Sequence, residues 1–369
     1  MKKEFFNAIW TFVGVTVGAG ILGLPYVFSK AGFYTGILVM SITAVIIFVI
    51  SLYLGEVVLR TKTKHQLSGL AEKYLGDKSK LIMFIANTLS IYGALAAYVI
   101  GSSQALSSIF GGNTLIYSVI LFIILAATIY FGINILERFE SIFTPLKIIV
   151  SIILSLLLLR FINFTNITGF NFYNILIPYG ISIFAFTGIS AIPEMNEELK
   201  NKKYLFKAIT IGMIITFLIY LLFIFSTVGA LGEVGEVATV SLSKLSFGIN
   251  VFANLFAIFA MSTAFVVLGF ALKENLTLDY KVKNFPSWLI VVLVPFILVL
   301  TGFFGFAKLI ELSGAIALGV IFMMILIMHS RAKKLGDRTP EYSLSDNKLI
   351  KIVLFIILVI GIIHAIGGI

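Results

Sequence analysis

The stretch Val13-Gly14-Val15-Thr16-Val17-Gly18-Ala19-Gly20-Ile21-Leu22-Gly23-Leu24-Pro25 decides the fold. It lies inside an apolar run over roughly residues 6–28, long enough to cross a bilayer, which takes about 20 apolar residues. Glycine costs about 1 kcal/mol against alanine in a helix interior, and four of them fall within ten residues here. Gly14 and Gly18, four apart, also suit close packing of one helix on another. Gly20 lies off that spacing, and with it the group points to an unwound turn near mid-membrane. Non-helical backbone at such depth is tolerated only where protein buries it or where it lines a polar cavity.

The rest of the chain supports a membrane reading. Sixty per cent of residues are hydrophobic, 12% are charged, and the mean hydropathy is +1.09. A soluble domain carries about 25% charged residues, so this chain has too few to coat a water-facing surface. Apolar runs predict an all-α polytopic membrane protein of eleven transmembrane helices, near 6–28, 34–56, 81–110, 114–134, 141–160, 172–193, 204–230, 245–272, 287–304, 308–328 and 349–366. No connection is long enough for a second globular unit, so residues 1–369 read as one transmembrane domain. Met1-Lys2-Lys3 runs straight into the first span without a leader-like cleavage pattern, so that span reads as retained. The absence of cysteine excludes disulfides and thiolate metal sites.

The net charge of +10 could suggest a nucleic-acid partner, but its distribution argues otherwise. With the N-terminus in the cytoplasm, 22 Lys and Arg fall in inner connections and only Lys30, Arg160, Lys244 and Lys308 fall outside. The positive-inside rule then predicts a multi-pass protein of the cytoplasmic membrane with the N-terminus inside and, after eleven spans, the C-terminus outside. The partners implied are the lipid bilayer and a small solute, and no nucleic acid.

The sixth span supplies a counterpart to the first: Phe184-Ala185-Phe186-Thr187-Gly188-Ile189-Ser190-Ala191-Ile192-Pro193-Glu194. A glycine again sits near mid-membrane between hydroxyls, with a proline following. Five spans separate the two interruptions. Five is odd, so a second copy of a five-helix unit would enter from the opposite face. Interrupted helices at matching places in two such halves point to an inverted-repeat transporter site. Repeat one would cover 1–160 and repeat two 172–328, leaving 349–366 as an extra helix.

The chemistry follows from backbone polarity. Each first half-helix ends at the midplane with unpaired carbonyls, and each second half begins there with unpaired amides. Amides at Gly18, Ala19 and Gly20 suit a carboxylate, helped by the half-helix dipole. Carbonyls near Thr16 and over Phe184, Ala185 and Phe186 suit an ammonium, with Thr187 and Gly188 completing that break. Such a site takes a zwitterion without a costly buried charge. Tyr92, Phe184 and Phe186 are candidates for the side-chain pocket, although a lone aromatic in so Phe-rich a chain more often packs or faces lipid.

On these residues the chain resembles the amino acid/auxin permease family and its bacterial aromatic amino acid permease relatives, within the amino acid–polyamine–organocation superfamily. The stretches that carry the likeness are Gly18-Ala19-Gly20-Ile21-Leu22-Gly23-Leu24-Pro25, Phe184-Ala185-Phe186-Thr187-Gly188 leading to Ala191-Ile192-Pro193-Glu194, and Glu197-Glu198-Leu199-Lys200-Asn201. The eighth-span run Ser262-Thr263-Ala264-Phe265-Val266-Val267-Leu268-Gly269 belongs with them. The resemblance implies a five-plus-five inverted repeat of the LeuT-like kind with helices 1 and 6 broken. It also implies secondary active transport of amino acids by alternating access, with no enzymatic step and no cofactor.

The coupling ion rests on Lys147, inside the fifth span. A lysine at that depth can snorkel to the inner surface. The resemblance gives it another role, because in sodium-independent members of the superfamily a fifth-span lysine takes the place of a bound sodium between spans one and eight. Lys147 follows Pro145-Leu146 at that position, with Ser262 and Thr263 as its expected hydroxyl neighbours. Stripped of water there, a lysine can give up its proton, which makes proton-coupled symport the expectation. Sodium symport with Ser262 and Thr263 as ligands is the alternative, and exchange or facilitation of another small amine or zwitterion a third. Glu194 is a further proton-carrying or inner-gate candidate. His65, His329 and His364 are scattered at span ends and suggest no metal site. No nucleophile–base constellation and no phosphate loop is present. A channel would need a continuous polar lining and a membrane enzyme clustered His, Asp or Glu, and neither pattern is visible.

Overall fold

The computed structural model describes residues 2–131, 136–278 and 280–368, with side chains described throughout except at residues 2 and 136–144. The described residues form helices and turns, with no strand among them. The first expected span is two helices, α1 (Lys2–Thr16) and α2 (Leu24–Ala31), joined through a single 3-10 turn at Ala19–Leu22. Their axes diverge by 48°. The cause is local: Gly18 takes φ −114°, ψ −154°, an extended conformation that ends the helix. Pro25 falls in the first turn of α2, where a missing N–H costs no hydrogen bond.

Helix α3 (Phe33–Leu59) follows, then α4 (Leu67–Leu75), α5 (Asp77–Phe110), α6 (Thr114–Phe131) and α7 (Leu136–Leu158). Gly32, at φ +91°, makes the corner between α2 and α3. A Cβ there would lie 2.7 Å from the Gly169 carbonyl oxygen, so both backbone sign and space require glycine. The second interrupted span comprises α8 (Tyr179–Phe186) and α9 (Ala191–Glu198). The chain continues through α10 (Leu205–Leu231), α11 (Ala238–Ser241), α12 (Phe247–Leu278) and α13 (Asn284–Thr301). It ends with α14 (Phe306–Leu312), a π-helical turn (Ser313–Leu318), α15 (Gly319–Leu335) and α16 (Lys348–Gly367).

Among the described residues eight helices are long and apolar enough to cross a membrane, and the bent pair α1–α2, taken as one span, makes a ninth. The expected fifth and sixth spans fall outside that count. Residues 141–144 of the fifth have side chains outside the described set, and α8 and α9 have eight residues each. The sixth-span boundaries also move. The helix begins at Tyr179 rather than near 172, because the Asn171 side chain accepts from the Tyr173 amide and winds Phe172–Asn174 into a 3-10 turn. Tyr173 is 97% exposed, so the apolar reading there came from residues on the surface. At the other end α9 runs on to Glu198, since Pro193 sits in its first turn. Helix α4 was not foreseen.

One buried carboxylate organises the face onto which the expected inner connections open. Glu56, near the end of α3, has a fully buried side chain. It accepts from Arg60 Nε at 2.8 Å, His329 Nε2 at 2.9 Å, Ser343 Oγ at 3.0 Å and the Leu344 amide at 2.6 Å. The α15–α16 connection is thereby strapped over the end of α3, helped by Tyr342 donating to the Leu52 carbonyl at 2.7 Å. Asp337 anchors the start of the strap to Lys73 of α4 and to the Lys62 amide. The Lys73 ammonium holds the Asp337 carboxyl below its ordinary value.

Removing one partner of a buried ionic network strands the others. Glu56→Ala should therefore destabilise the fold by about 3–5 kcal/mol, measured as a denaturation shift in micelles; an unchanged midpoint would refute the assignment. A carboxyl held low in the folded state contributes stability above its unfolded value that is lost as pH falls through the folded one. Amide protection of the strap should accordingly fall in acid below the ordinary aspartate range, and Asp337→Asn should reduce that pH dependence, the remainder coming from Asp346, whose carboxyl the Lys351 ammonium also holds low.

Candidate functional site

The two helix interruptions meet. A Cβ at Gly20 would sit 2.9 Å from Ala185 Cα and 3.2 Å from Phe184 Cδ1, so the first break lies flat against the last turn of α8. Gly188, just after α8, is pressed onto the Thr16 hydroxyl and the Phe12 ring in the same way. Gly18 differs: nothing lies within 4 Å of where its Cβ would be. Of these three glycines it alone faces open space, and it is half-buried while Ala19 and Gly20 are buried.

The carbonyl ends are gathered by a residue that the sequence reading missed. Tyr220, fully buried on α10, places its hydroxyl 2.7 Å from the Thr16 carbonyl oxygen and 2.7 Å from that of Ala185. Those are the final turns of α1 and α8, where helix carbonyls lose their internal donors. The signal available was a tyrosine in mid-course of the apolar run 204–230, since a buried phenol hydroxyl needs a partner.

The remaining expected residues are distributed as follows. Thr16 donates to the Phe12 carbonyl at 2.7 Å and Thr187 to that of Ile183 at 2.6 Å, each turned back on its own helix. Phe184 is half-buried beside Gly20. Phe186 is fully buried against Phe217 and Tyr220 of α10, with ring centroids 6.2 and 5.0 Å apart. Tyr92 on α5 donates to the Ile290 carbonyl of α13 at 2.7 Å. Lys147 is half-buried on α7, which packs against α1, α10 and α12. Ser262 and Thr263 are half-buried on α12, and the Thr263 hydroxyl is engaged with the Phe259 and Ala260 carbonyls of its own helix. Glu194 is exposed on α9. Below the breaks Glu198 of α9 accepts from the Thr11 hydroxyl of α1 at 3.0 and 3.1 Å, and Lys200 pairs with Glu4 at 3.2 Å. These contacts close α1 against α9. Among the described residues no cluster of His, Asp or Glu could hold a metal ion.

A third interruption borders the first two. The π-turn Ser313–Leu318 lies against α8 so closely that a Cβ on Gly314 would strike the Gly180 carbonyl. Extra residues of this kind inside α-helices are frequent at functional sites.

The model of the tryptophan/tyrosine permease family matches residues 1–365, and the chain belongs to that family. The amino acid/auxin permease expectation is corrected accordingly: the chain falls with the aromatic permeases. Over 219 residues it is 28% identical to tyrosine-specific transport system 1 of Haemophilus influenzae, covering 56% of this chain and 53% of that protein. Over 231 residues it is 21% identical to glutamine transporter 2 of Aliivibrio fischeri, covering 60% and 59%. The chain thus spans little more than half the length of these curated relatives. Among solved structures it resembles MhsT in complex with L-phenylalanine, with a TM-score of 0.66 and 17% identity over 99% of this chain and 98% of that one. At that identity the likeness shows the fold, which is LeuT-like.

The two glycines should respond differently to a side chain. Gly20→Val must displace the Ala185 backbone and should cost several kcal/mol, about the level of an overpacked core or more, seen as loss of folded protein. Gly18→Leu should fold with a near-normal denaturation midpoint and fill the open space; equal destabilisation by both would contradict this placement.

Proposed function

We propose that this member of the tryptophan/tyrosine permease family is a secondary active transporter that moves an amino acid across the cytoplasmic membrane by alternating access. The observation that carries the reading is the meeting of the two breaks, which sets the Gly20 backbone against Ala185 and joins the Thr16 and Ala185 carbonyls at one hydroxyl, while the Gly18 amide is held by the Thr16 carbonyl at 2.9 Å. A zwitterion complements that pair of termini: its carboxylate matches the amide end and its ammonium the carbonyl end. An aromatic amino acid is the favoured substrate, supported by the family and by the tyrosine transporter among its relatives. Phe184, half-buried beside the break, is the nearest candidate for contact with the substrate side chain. Phe186 and Tyr92 belong to the wall behind it, given their partners on α10 and α13.

The finer architecture is part of the same proposal. Helix α7 and the pair α8–α9 complete eleven spans, arranged as five plus five in inverted repeat over 1–160 and 172–328, with α16 as the extra helix. The N-terminus is cytoplasmic and the C-terminus outside, in keeping with the 22 inner Lys and Arg against four outer ones. The strap over Glu56 and the Glu198–Thr11 contact then lie on the cytoplasmic side.

Coupling is assigned to the proton, carried by Lys147 with Ser262 and Thr263 nearby. The Thr263 hydroxyl donates to carbonyls of its own helix, which leaves its oxygen lone pairs available, so sodium with Ser262 and Thr263 as ligands is the alternative. Glu194, exposed on α9, is given the lesser role of a solvated inner-side acid.

Uptake of labelled amino acids into proteoliposomes, with an inward proton or sodium gradient imposed separately, tests both levels. A proton gradient should drive accumulation and a sodium gradient should not. Lys147→Ala should remove the proton-driven component, about tenfold or more in initial rate, while binding of the amino acid persists. Normal uptake with unchanged pH dependence in that variant would overturn the coupling assignment, and no uptake of any amino acid by the wild type would overturn the transport reading.

A further inference from the structure

His329 is fully buried on α15, and its two ring nitrogens have different surroundings. Nε2 lies 2.9 Å from the Glu56 carboxylate of α3, which makes Nε2 the protonated nitrogen of the neutral ring. Nδ1 is then a bare acceptor, buried and without a donor. Asp346 Oδ1, at the end of the strap, faces Nδ1 at 4.0 Å, too far for a hydrogen bond. Tyr53 of α3 stacks on the ring with centroids 4.2 Å apart, so the imidazole is clamped while one nitrogen lacks a partner.

The charges around the ring come from each element packed on it. Helix α3 brings Glu56 and Arg60, and α15 itself brings Lys333, 3.5 Å from Glu56. The strap brings Asp346, held by Ser330 at 2.8 Å and by Lys351 of α16, whose ammonium also lies over the Tyr53 ring. The pairs Glu72–Lys80 and Lys73–Asp337 complete the set from α4, the start of α5 and the start of the strap. Glu56 and Asp346 thus already stand against Arg60, Lys333 and Lys351, and this cluster carries the ring as neutral. Imidazole is the side chain that gains a proton within the physiological range, and ionisable groups at the depth of a membrane span commonly serve a proton path.

We propose that Nδ1 of His329 is a proton-binding site, and that the proton it takes latches the strap by drawing Asp346 onto the ring. Protonation turns Nδ1 from an acceptor without a partner into a donor. The Asp346 carboxylate then needs to close by only about 1 Å to reach a charge-assisted bond length. Its side chain is 35% exposed, so it joins the buried ring to solvent. A latched strap binds this proton more tightly than a loose one, and by linkage the proton holds the strap down. Helix α3 packs on both α8 and α9, so the latch restrains the helix that flanks both halves of the second break. The site is distinct from Lys147, and its role does not depend on which solute is carried.

The test uses the full chain in nanodiscs. Hydrogen exchange of the strap amides, Leu344 above all, is followed from about pH 8 to about pH 5.5, above the range in which aspartates ordinarily titrate, and corrected for intrinsic exchange. Protection should rise about tenfold towards the acid end, the shift produced by a tenfold preference of the proton for the latched strap. His329→Gln, which keeps a donor for Glu56 but takes no proton, should be flat over that window. Asp346→Asn, which removes the charge that Nδ1 would meet, should be flat too, and its partly exposed position keeps the test open if His329→Gln fails to fold. Histidine nitrogen NMR should show Nδ1 of His329 gaining hydrogen over the same range. Wild-type protection that stays flat or falls, a rise that survives in Asp346→Asn, or an Nδ1 that gains no hydrogen in this window would each overturn the proposal.

Discussion

The constraint on which the structure depends is that a peptide group inside a bilayer must find a partner within the protein. Two helices stop in mid-course, at Thr16 and at Phe186, and each stop exposes carbonyls on one side and amides on the other. The protein answers by pressing the stops together, with Gly20 on Ala185 and Gly188 on Thr16, and by running one buried tyrosine hydroxyl between their carbonyls. What remains unmatched is polar, directional and bipolar.

The interruptions could be read in the sequence because a glycine's cost to a helix is paid where it stands. Gly18, Gly20 and Gly188 needed no knowledge of their neighbours. Tyr220, Glu56 and His329 were different. Each lies in or beside an apolar run, and each finds its partner far along the chain: Tyr220 lies 204 residues from Thr16, and His329 lies 273 from Glu56. Pairing at such separations is decided by how helices pack, which hydropathy does not encode. The misplaced start of the sixth span has another origin. Phe172 and Tyr173 are as apolar as membrane residues, yet 70% and 97% exposed, and it is the Asn171 side chain that turns the backbone there. The family resemblance carried the all-helical, LeuT-like character of the fold and the family label in part.

The π-turn at Ser313–Leu318 has a consequence of phase. A π-turn lodges one extra residue in an α-helix, and at 3.6 residues per turn each residue swings the faces beyond it by about 100°. Helix α14, before the turn, presents its contacts to α8 and the broken region, while α15, after it, presents His329 to Glu56 on α3. An uninterrupted α-helix of the same sequence could not satisfy both at once: aligning one face on α8 would rotate His329 off its carboxylate. The turn therefore sets the angular offset between the region of the breaks and the strap, and a single-residue deletion within it would throw one of the two out of register.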